Sequence, residues 1–171
     1  GELMRLQRGI AIAGTHGKTT TTAMAAAIFM KAKKDPSVIV GANIRELKNR
    51  NAHHGKGKEL IIESCEYRRG FLNYQPQTIV ITNIEADHLD FYKNLKNIKN
   101  AFHKFIGHLP KDGILITKKS TNKKEFLKVK KILKVPGDHN AYNALIALAT
   151  ARALKIPDKI SLKALTEYKG A

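Results

Sequence analysis

The residues of this sequence with the most evident chemistry are Gly14-Thr15-His16-Gly17-Lys18-Thr19-Thr20. A turn bounded by glycines lets successive backbone N–H groups converge on phosphate oxygens, and a helix opening at Lys18 adds its positive end at the same point. Lys18 has the reach to meet β- and γ-phosphates as a point charge, and the Thr19 hydroxyl can ligate Mg²⁺. The spacing departs from G-x-x-x-x-G-K-[ST], because Ile12 stands where the first glycine belongs. The match is to a shorter G-T-x-G-K-T-T form. A glycine turn with no ligand has little use for a lysine beside two glycines and four consecutive threonines, Thr19 to Thr22. ATP with Mg²⁺ is the expected ligand.

Mg²⁺ takes a few carboxylates together with phosphate oxygens and water. Glu63 ends an apolar run, Glu66 follows one turn on, and Asp87-His88-Leu89-Asp90 offers further ligands or their partners. Glu63 is favoured over Glu66 because it directly ends a strand. A D-H-x-D string is common in surface loops, so its weight comes from its place downstream of a phosphate loop. His53, His54, His103 and His108 lack that context and read as surface residues.

The elements that must position these groups follow from apolar patterning. Arg8 to Ala13 reads as a buried strand, and Lys18 to Lys33 as a helix ended by Asp35-Pro36. Ser37 to Gly41, Glu59 to Glu63, Gln77 to Thr82 and Ile114 to Thr117 read as further strands. The polar, basic segment from Asn43 to Lys58 reads as a surface loop. Leu95 to Ile106 has a helical period, the lysine-rich stretch after Thr117 is expected to be helical, and Asp138 to Leu154 reads as an Ala/Leu helix. Ser161 is expected to cap a last helix through Tyr168. Continuous apolar strands alternating with helices give an α/β fold: three layers, a mostly parallel P-loop-type sheet with helices on both faces. Ligands gather at the carboxyl ends of such strands, where Gly14 to Thr20, Glu63 and Asn83 to Asp90 fall. One domain over residues 1–171 is the simplest count.

The bulk composition agrees: 171 residues, 43% hydrophobic and 26% charged, are those of a globular domain. No apolar stretch is long enough to span a bilayer, and no basic segment with an apolar core opens the chain, so neither membrane nor export is expected. The single Cys65 has no internal partner for a disulfide, which suits a reducing compartment, and a cytoplasmic location is expected. Lys and Arg number 31 against 14 Asp and Glu, a net charge of +17. The lysines are scattered from Lys31 to Lys169, without the aromatic interleaving of RNA binders, so solvated helix surfaces account for them better than a nucleic-acid footprint.

Four strings carry a resemblance to a known family: Gly14 to Thr22 (GTHGKTTTT), Glu63 to Leu72 (ESCEYRRGFL), Thr82 to Tyr92 (TNIEADHLDFY) and Pro136 to Leu145 (PGDHNAYNAL). In order and content they resemble the ATP-dependent Mur ligases of peptidoglycan synthesis, most of all the alanine-adding branch. The resemblance implies the central ATPase of a three-domain ligase, with a UDP-binding domain before it and a Rossmann-like domain after it. Tyr168-Lys169-Gly170-Ala171 is similar to the passage into that last domain. It implies ATP and Mg²⁺ as cofactors, and UDP-N-acetylmuramate and L-alanine as partners once all domains are present. It implies no membrane and no specific nucleic acid.

By the same resemblance, Lys18 and the loop residues Gly14, Thr15, His16, Gly17, Thr19 and Thr20 bind the phosphates of ATP. Thr19 and Glu63 hold Mg²⁺, and His88 ligates or organises a second Mg²⁺ near an acyl phosphate, which makes Lys18 and His88 the catalytic pair. Asn83 lies near the γ-phosphate, and His139, Asn140 and Asn143 near adenine or ribose. Without the resemblance, Asn140 and Asn143 read as the start of a helix capped by Asp138. Where the family carries a longer stretch with additional strands, this chain has only a short Lys-rich segment between Thr117 and Pro136, so no accessory sheet is expected. The alternatives are a murein-peptide recycling ligase, which shares the loop, and a basic nucleic-acid-binding P-loop protein.

Overall fold

Strands buried on both faces must feed two cores with alternate residues, and this sheet does so. The structure, a computed structural model, describes residues 2–170. Its strands are β1 (Arg8–Ala13), β2 (Ser37–Ile44), β3 (Arg50–His53), β4 (Glu59–Glu63), β5 (Thr78–Ile81) and β6 (Ile114–Ile116). They lie in the order β3-β2-β4-β1-β5-β6, parallel throughout except for the antiparallel β2–β3 pair. Ile10, Ile12, Val38, Val40, Ile61, Val80 and Ile116 enter one core. Ala11, Ala13, Leu60, Ile62, Ile79 and Ile81 enter the other.

The helices are α1 (Leu3–Leu6), α2 (Lys18–Lys31), α3 (Leu89–Tyr92), α4 (Leu95–Ile106), α5 (Phe126–Ile132), α6 (Asp138–Ala153) and α7 (Asp158–Glu167). Helices α2, α6 and α7 close the first core. Helix α2 buries Thr21 to Ala26, Ile28 and Phe29, and α6 buries Ala141 and Asn143 to Ala151. Such all-round burial explains why both are rich in Ala rather than striped. Thr21 and Thr22 are fully buried in this packing, so only Thr19 and Thr20 of the threonine run face the sheet rim. Helix α4 closes the second core with Ile98, Ala101, Phe102 and Phe105, and Asn94 caps it by accepting the Asn97 N–H at 3.0 Å. Phe71 stacks on Phe105 at 4.6 Å and meets Phe102 edge-on at 5.1 Å.

The three-layer architecture agrees with the expectation, and four local features differ. The segment from Asn43 to Lys58 is not all loop: β2 runs on to Ile44, and β3 pairs back through Val38↔His53, Ile39↔Ala52 and Ile44↔Arg50. Arg50, Asn51 and Ala52 are exposed on this edge, so the strand carries no apolar alternation to read. Lys48 and Asn49, both at φ 57°, make the turn into it. Ser161 lies inside α7 and donates to the Pro157 carbonyl at 3.2 Å; the helix starts at Asp158 after Pro157. Asp138 does not cap α6; Gly137 holds that position, and Asp138 pairs with Lys130 at 2.6 Å. Finally, α1, α3 and the 3-10 segment Tyr67–Asn73 were not expected. Residues 118–132 form 3-10 turns and α5, with no strand among them.

The parallel register decides where the chemistry goes. Ile12 lies beside Glu63 and Ala13 beside Ile81. The chain therefore leaves β1, β4 and β5 at one rim, bringing Gly14, Glu63 and Thr82 together. No helix among the described residues is long and apolar enough to cross a membrane.

Candidate nucleotide and metal site

The loop between β1 and α2 needs glycine at both ends. Gly14 has φ 142°, and a Cβ there would stand 2.0 Å from the Thr82 hydroxyl; Gly17 has φ 78°, with a Cβ position 2.5 Å from Asn143 Oδ1. Any larger residue would meet a clash as well as backbone strain. The segment after β5 ties the loop down. Thr82 donates to the His16 carbonyl at 2.6 Å, Asn83 Oδ1 accepts the His16 N–H at 2.8 Å, and Thr15 Oγ1 accepts the Glu85 N–H at 2.9 Å. Asn83 and Asn143 thus brace the loop on two sides. Thr82 and Glu85 belong to this brace and were missed in the sequence; the signal was their place after a strand parallel to β1.

Lys18 and Thr19 open α2 and point along the rim. Thr19 donates to Glu63 Oε1 at 3.0 Å, and Glu63 Oε2 accepts the Gly41 N–H at 2.8 Å. The Lys18 ammonium donates to the carbonyls of Gly14 (2.7 Å) and Thr15 (3.0 Å) and to Glu66 Oε1 (3.3 Å), with Glu66 Oε2 3.0 Å away. Glu66 is only 2% exposed, and its Oε2 has no aligned hydrogen bond. His88 Nε2 lies 3.9 Å from Glu66 Oε1, and donor atoms of Glu66, Asp87 and His88 all fall within 4.8 Å of one another. The two glutamates therefore divide the work that the sequence left in competition: Glu63 joins Thr19, and Glu66 joins Lys18 and His88. Tyr92 donates its hydroxyl to the Glu66 carbonyl. Burial, and then the Glu66 carboxylate, push that phenol above its ordinary pKa, which keeps it a donor.

On the α6 side of the loop a cleft of about 450 Å³ is lined by His16, Gly17, Thr20, Asn83, His139, Asn140 and Asn143, among others. Such a volume suits a nucleoside-sized ligand. Asn140 donates to the Pro136 carbonyl at 2.6 Å, and Asn143 is buried against Gly17. The cleft also holds Lys118 and Tyr142, with the Lys118 ammonium 4.1 Å from the Tyr142 ring centroid. Neither was singled out in the sequence, although Lys118 follows closely on the carboxyl end of β6. Of the other histidines, His54 and His103 are exposed as expected. His53 pairs with Asp35 at 3.0 Å and His108 Nδ1 lies 2.8 Å from the Tyr74 carbonyl, so both are half-buried and bonded.

Glycine loop, lysine, threonine–glutamate pair and histidine thus occupy one rim of a parallel sheet. The Mur ligase middle domain profile matches residues 12–132 of this chain. The chain belongs to the Mur ligase family. It is 37% identical to the UDP-N-acetylmuramate–L-alanine ligase of Clostridium acetobutylicum over 99% of its length and 46% of that protein. It is 50% identical to the ligase of the same name from Clostridium botulinum strain Hall, over 68% of this chain and 25% of the relative. Its fold matches the crystal structure of the UDP-N-acetylmuramate–alanine ligase of Thermotoga maritima with TM-score 0.81 and 27% identity, over 99% of this chain and 47% of that one. The chain spans less than half the length of these Mur ligase relatives.

Proposed function

We propose that this chain is the ATP·Mg²⁺-binding domain of a UDP-N-acetylmuramate–L-alanine ligase. The observation that carries the reading is the shared rim: Lys18–Glu66–His88 and Thr19–Glu63 beside a nucleoside-sized cleft. In this reading the loop amides of Gly14 to Thr20 and Lys18 hold the β- and γ-phosphates, and His139, Asn140 and Asn143 border the adenosine. The donor set fits hard divalent cations: Thr19 and Glu63 offer oxygen, while Glu66, Asp87 and His88 form a second cluster around a buried, incompletely satisfied carboxylate. Mg²⁺ bound there would neutralise charge on the transferring phosphoryl group. Lys18, which now rests on Glu66, would swing to the phosphates when the nucleotide arrives.

The reaction follows from the ligase activity that names the relatives and from this electrostatic setting. A carboxylate oxygen of UDP-N-acetylmuramate attacks the γ-phosphorus, and the bond to the ADP oxygen breaks. The amine of L-alanine then attacks the acyl carbon, phosphate leaves, and the amine gives up a proton. Placement and charge neutralisation dominate such a phosphoryl transfer, and this rim supplies both. The domains that hold the muramate and the amino acid belong, in this reading, to the remaining length seen in the relatives.

Calorimetric titration with Mg·ATP tests the reading. The chain is expected to bind it, and Lys18→Ala, checked for folding by circular dichroism, to lose that binding. Undiminished affinity in Lys18→Ala would overturn the assignment.

A further inference from the structure

The nucleoside cleft holds one cation that the phosphate grip does not account for. Strand β6 ends at Ile116, and the 3-10 turn Lys118–Ser120 begins one residue later. That turn is locked at its start: Thr117 Oγ1 accepts the Lys119 N–H and Ser120 Oγ accepts the Thr117 N–H, both at 3.1 Å. Beyond it, Thr121 donates its hydroxyl to the Lys118 carbonyl at 2.7 Å. The root of Lys118 is therefore fixed, and its stem carries the ammonium into the cleft and onto Tyr142, 4.1 Å from the ring centroid. Phe126 packs against the same ring with 4.6 Å between centroids, which holds the ring in place. The ammonium makes no ion pair and no hydrogen bond among the described residues. A ring face attracts an ammonium electrostatically and leaves N–H donors for an acceptor in the cleft.

Helix α6 supplies the opposite group. His139, Tyr142, Asn143 and Ile146 recur at three- and four-residue spacing, so one face of α6 lines the cleft, with Asn140 beside it. Asn140 donates its amide N–H to the Pro136 carbonyl at 2.6 Å, which sets the orientation of the amide. Its Oδ1 accepts no hydrogen bond among the described residues. The other two amides are committed to the loop, Asn83 through the His16 N–H and Asn143 against Gly17. Lys118 and Asn140 thus offer the cleft a cationic donor and an acceptor. Adenine has the matching edge, an exocyclic amine that donates, flanked by N1 and N7, which accept. Guanine carries a carbonyl where adenine has that amine. We propose that Lys118 is a base-reading residue: its ammonium donates to N1 or N7 of adenine while Asn140 Oδ1 accepts from the exocyclic amine, and Tyr142 positions the ammonium. This rests on the nucleotide-domain reading above and adds what selects the base.

Calorimetric titrations in Mg²⁺ compare ATP with 1-deaza-ATP, 7-deaza-ATP, GTP and tripolyphosphate. Each deaza compound replaces one ring nitrogen by C–H and so removes one acceptor. The unsubstituted chain is expected to bind one deaza compound, and GTP, at least about tenfold more weakly than ATP. Lys118→Met keeps the apolar stem and removes the donor. It is expected to weaken ATP binding by the same factor, to bind that deaza compound as well as ATP, and to leave tripolyphosphate affinity unchanged. Tyr142→Leu should close the same gap, whereas Tyr142→Phe, which keeps a ring face for the ammonium, should retain it. Loss of packing alone would lower both affinities without closing the gap. Equal affinity of the unsubstituted chain for ATP and GTP, or for ATP and both deaza compounds, overturns the inference, as does a gap that survives Lys118→Met. A chain that binds no Mg·ATP at all would instead count against the nucleotide-domain reading itself.

Discussion

At the scale of single residues, the buried pair Lys18–Glu66 carries two duties that experiment can separate. With Glu66 2% exposed, removing the ammonium leaves a carboxylate buried without compensation, a change that costs about 3–5 kcal/mol. Lys18→Ala is therefore expected to lower thermal stability as well as nucleotide affinity. Adding Glu66→Gln removes the stranded charge. Denaturant titration of the double variant should show most of the lost stability restored, while Mg·ATP binding stays absent. Glu63 makes a different prediction, since it binds the Thr19 hydroxyl and the Gly41 N–H and pairs with no cationic side chain among the described residues. Glu63→Gln keeps the shape and loses the charge. It should weaken Mg²⁺-supported ATP binding by about 10- to 100-fold, equivalent to about 1.4–2.7 kcal/mol, and leave the metal-free affinity in EDTA nearly unchanged. Gly17→Ala combines φ 78° with a Cβ position 2.5 Å from Asn143 Oδ1, so it should cost more than the roughly 1–2 kcal/mol of left-handed strain alone, read as a lowered Tm.

At the scale of elements, Arg152 ties three together. It reaches Glu125 at 2.8 and 2.9 Å, just before α5, and Asp158 at 2.6 and 2.8 Å, at the start of α7. Its guanidinium holds both carboxyls below their ordinary values of 4.5 and 3.8 and is itself raised by them. Groups with depressed folded pKa values stabilise above the unfolded pKa, and that contribution disappears as pH falls through the folded one. Arg152→Ala should therefore reduce stability by about 1 kcal/mol near neutrality, a figure kept small by the partial exposure of both pairs. Urea titrations should show the gap to the unsubstituted protein closing below about pH 4. What the sequence made legible at this scale follows burial. The central strands and α2, α4 and α6 show their burial as apolar runs or stripes, and all were read within a few residues. Strand β3 is an exposed edge of Arg, Asn and Ala, so no period announced it. Lys118 and Tyr142 escaped because a cation stacked on a ring leaves no motif. The roles of Glu63, at the end of β4, and Glu66, beyond it, needed the path of the chain after the strand, which spacing alone does not carry.

At the scale of the whole molecule, a sheet with both faces covered leaves its rims for ligands, and the chemistry has collected at the carboxyl ends of the strands. The basic residues behind the net charge of +17 are scattered over helices and connecting segments alike, so nucleic acid should compete with Mg·ATP only weakly and cease to do so as salt rises. The chain on its own is expected to bind the nucleotide without forming UDP-N-acetylmuramoyl-L-alanine from muramate precursor, alanine and ATP. Product released by the isolated chain in a coupled ADP assay would show that no further domain is needed. A crystal structure with Mg²⁺ and a non-hydrolysable ATP analogue would show where the nucleotide sits. The triphosphate is expected to be wrapped by Gly14 to Thr20 with Lys18 turned from Glu66 onto it, Mg²⁺ on Thr19 and Glu63, and adenosine in the cleft beside His139 and Asn140. A nucleotide bound elsewhere, with the Lys18–Glu66 pair intact, would contradict it.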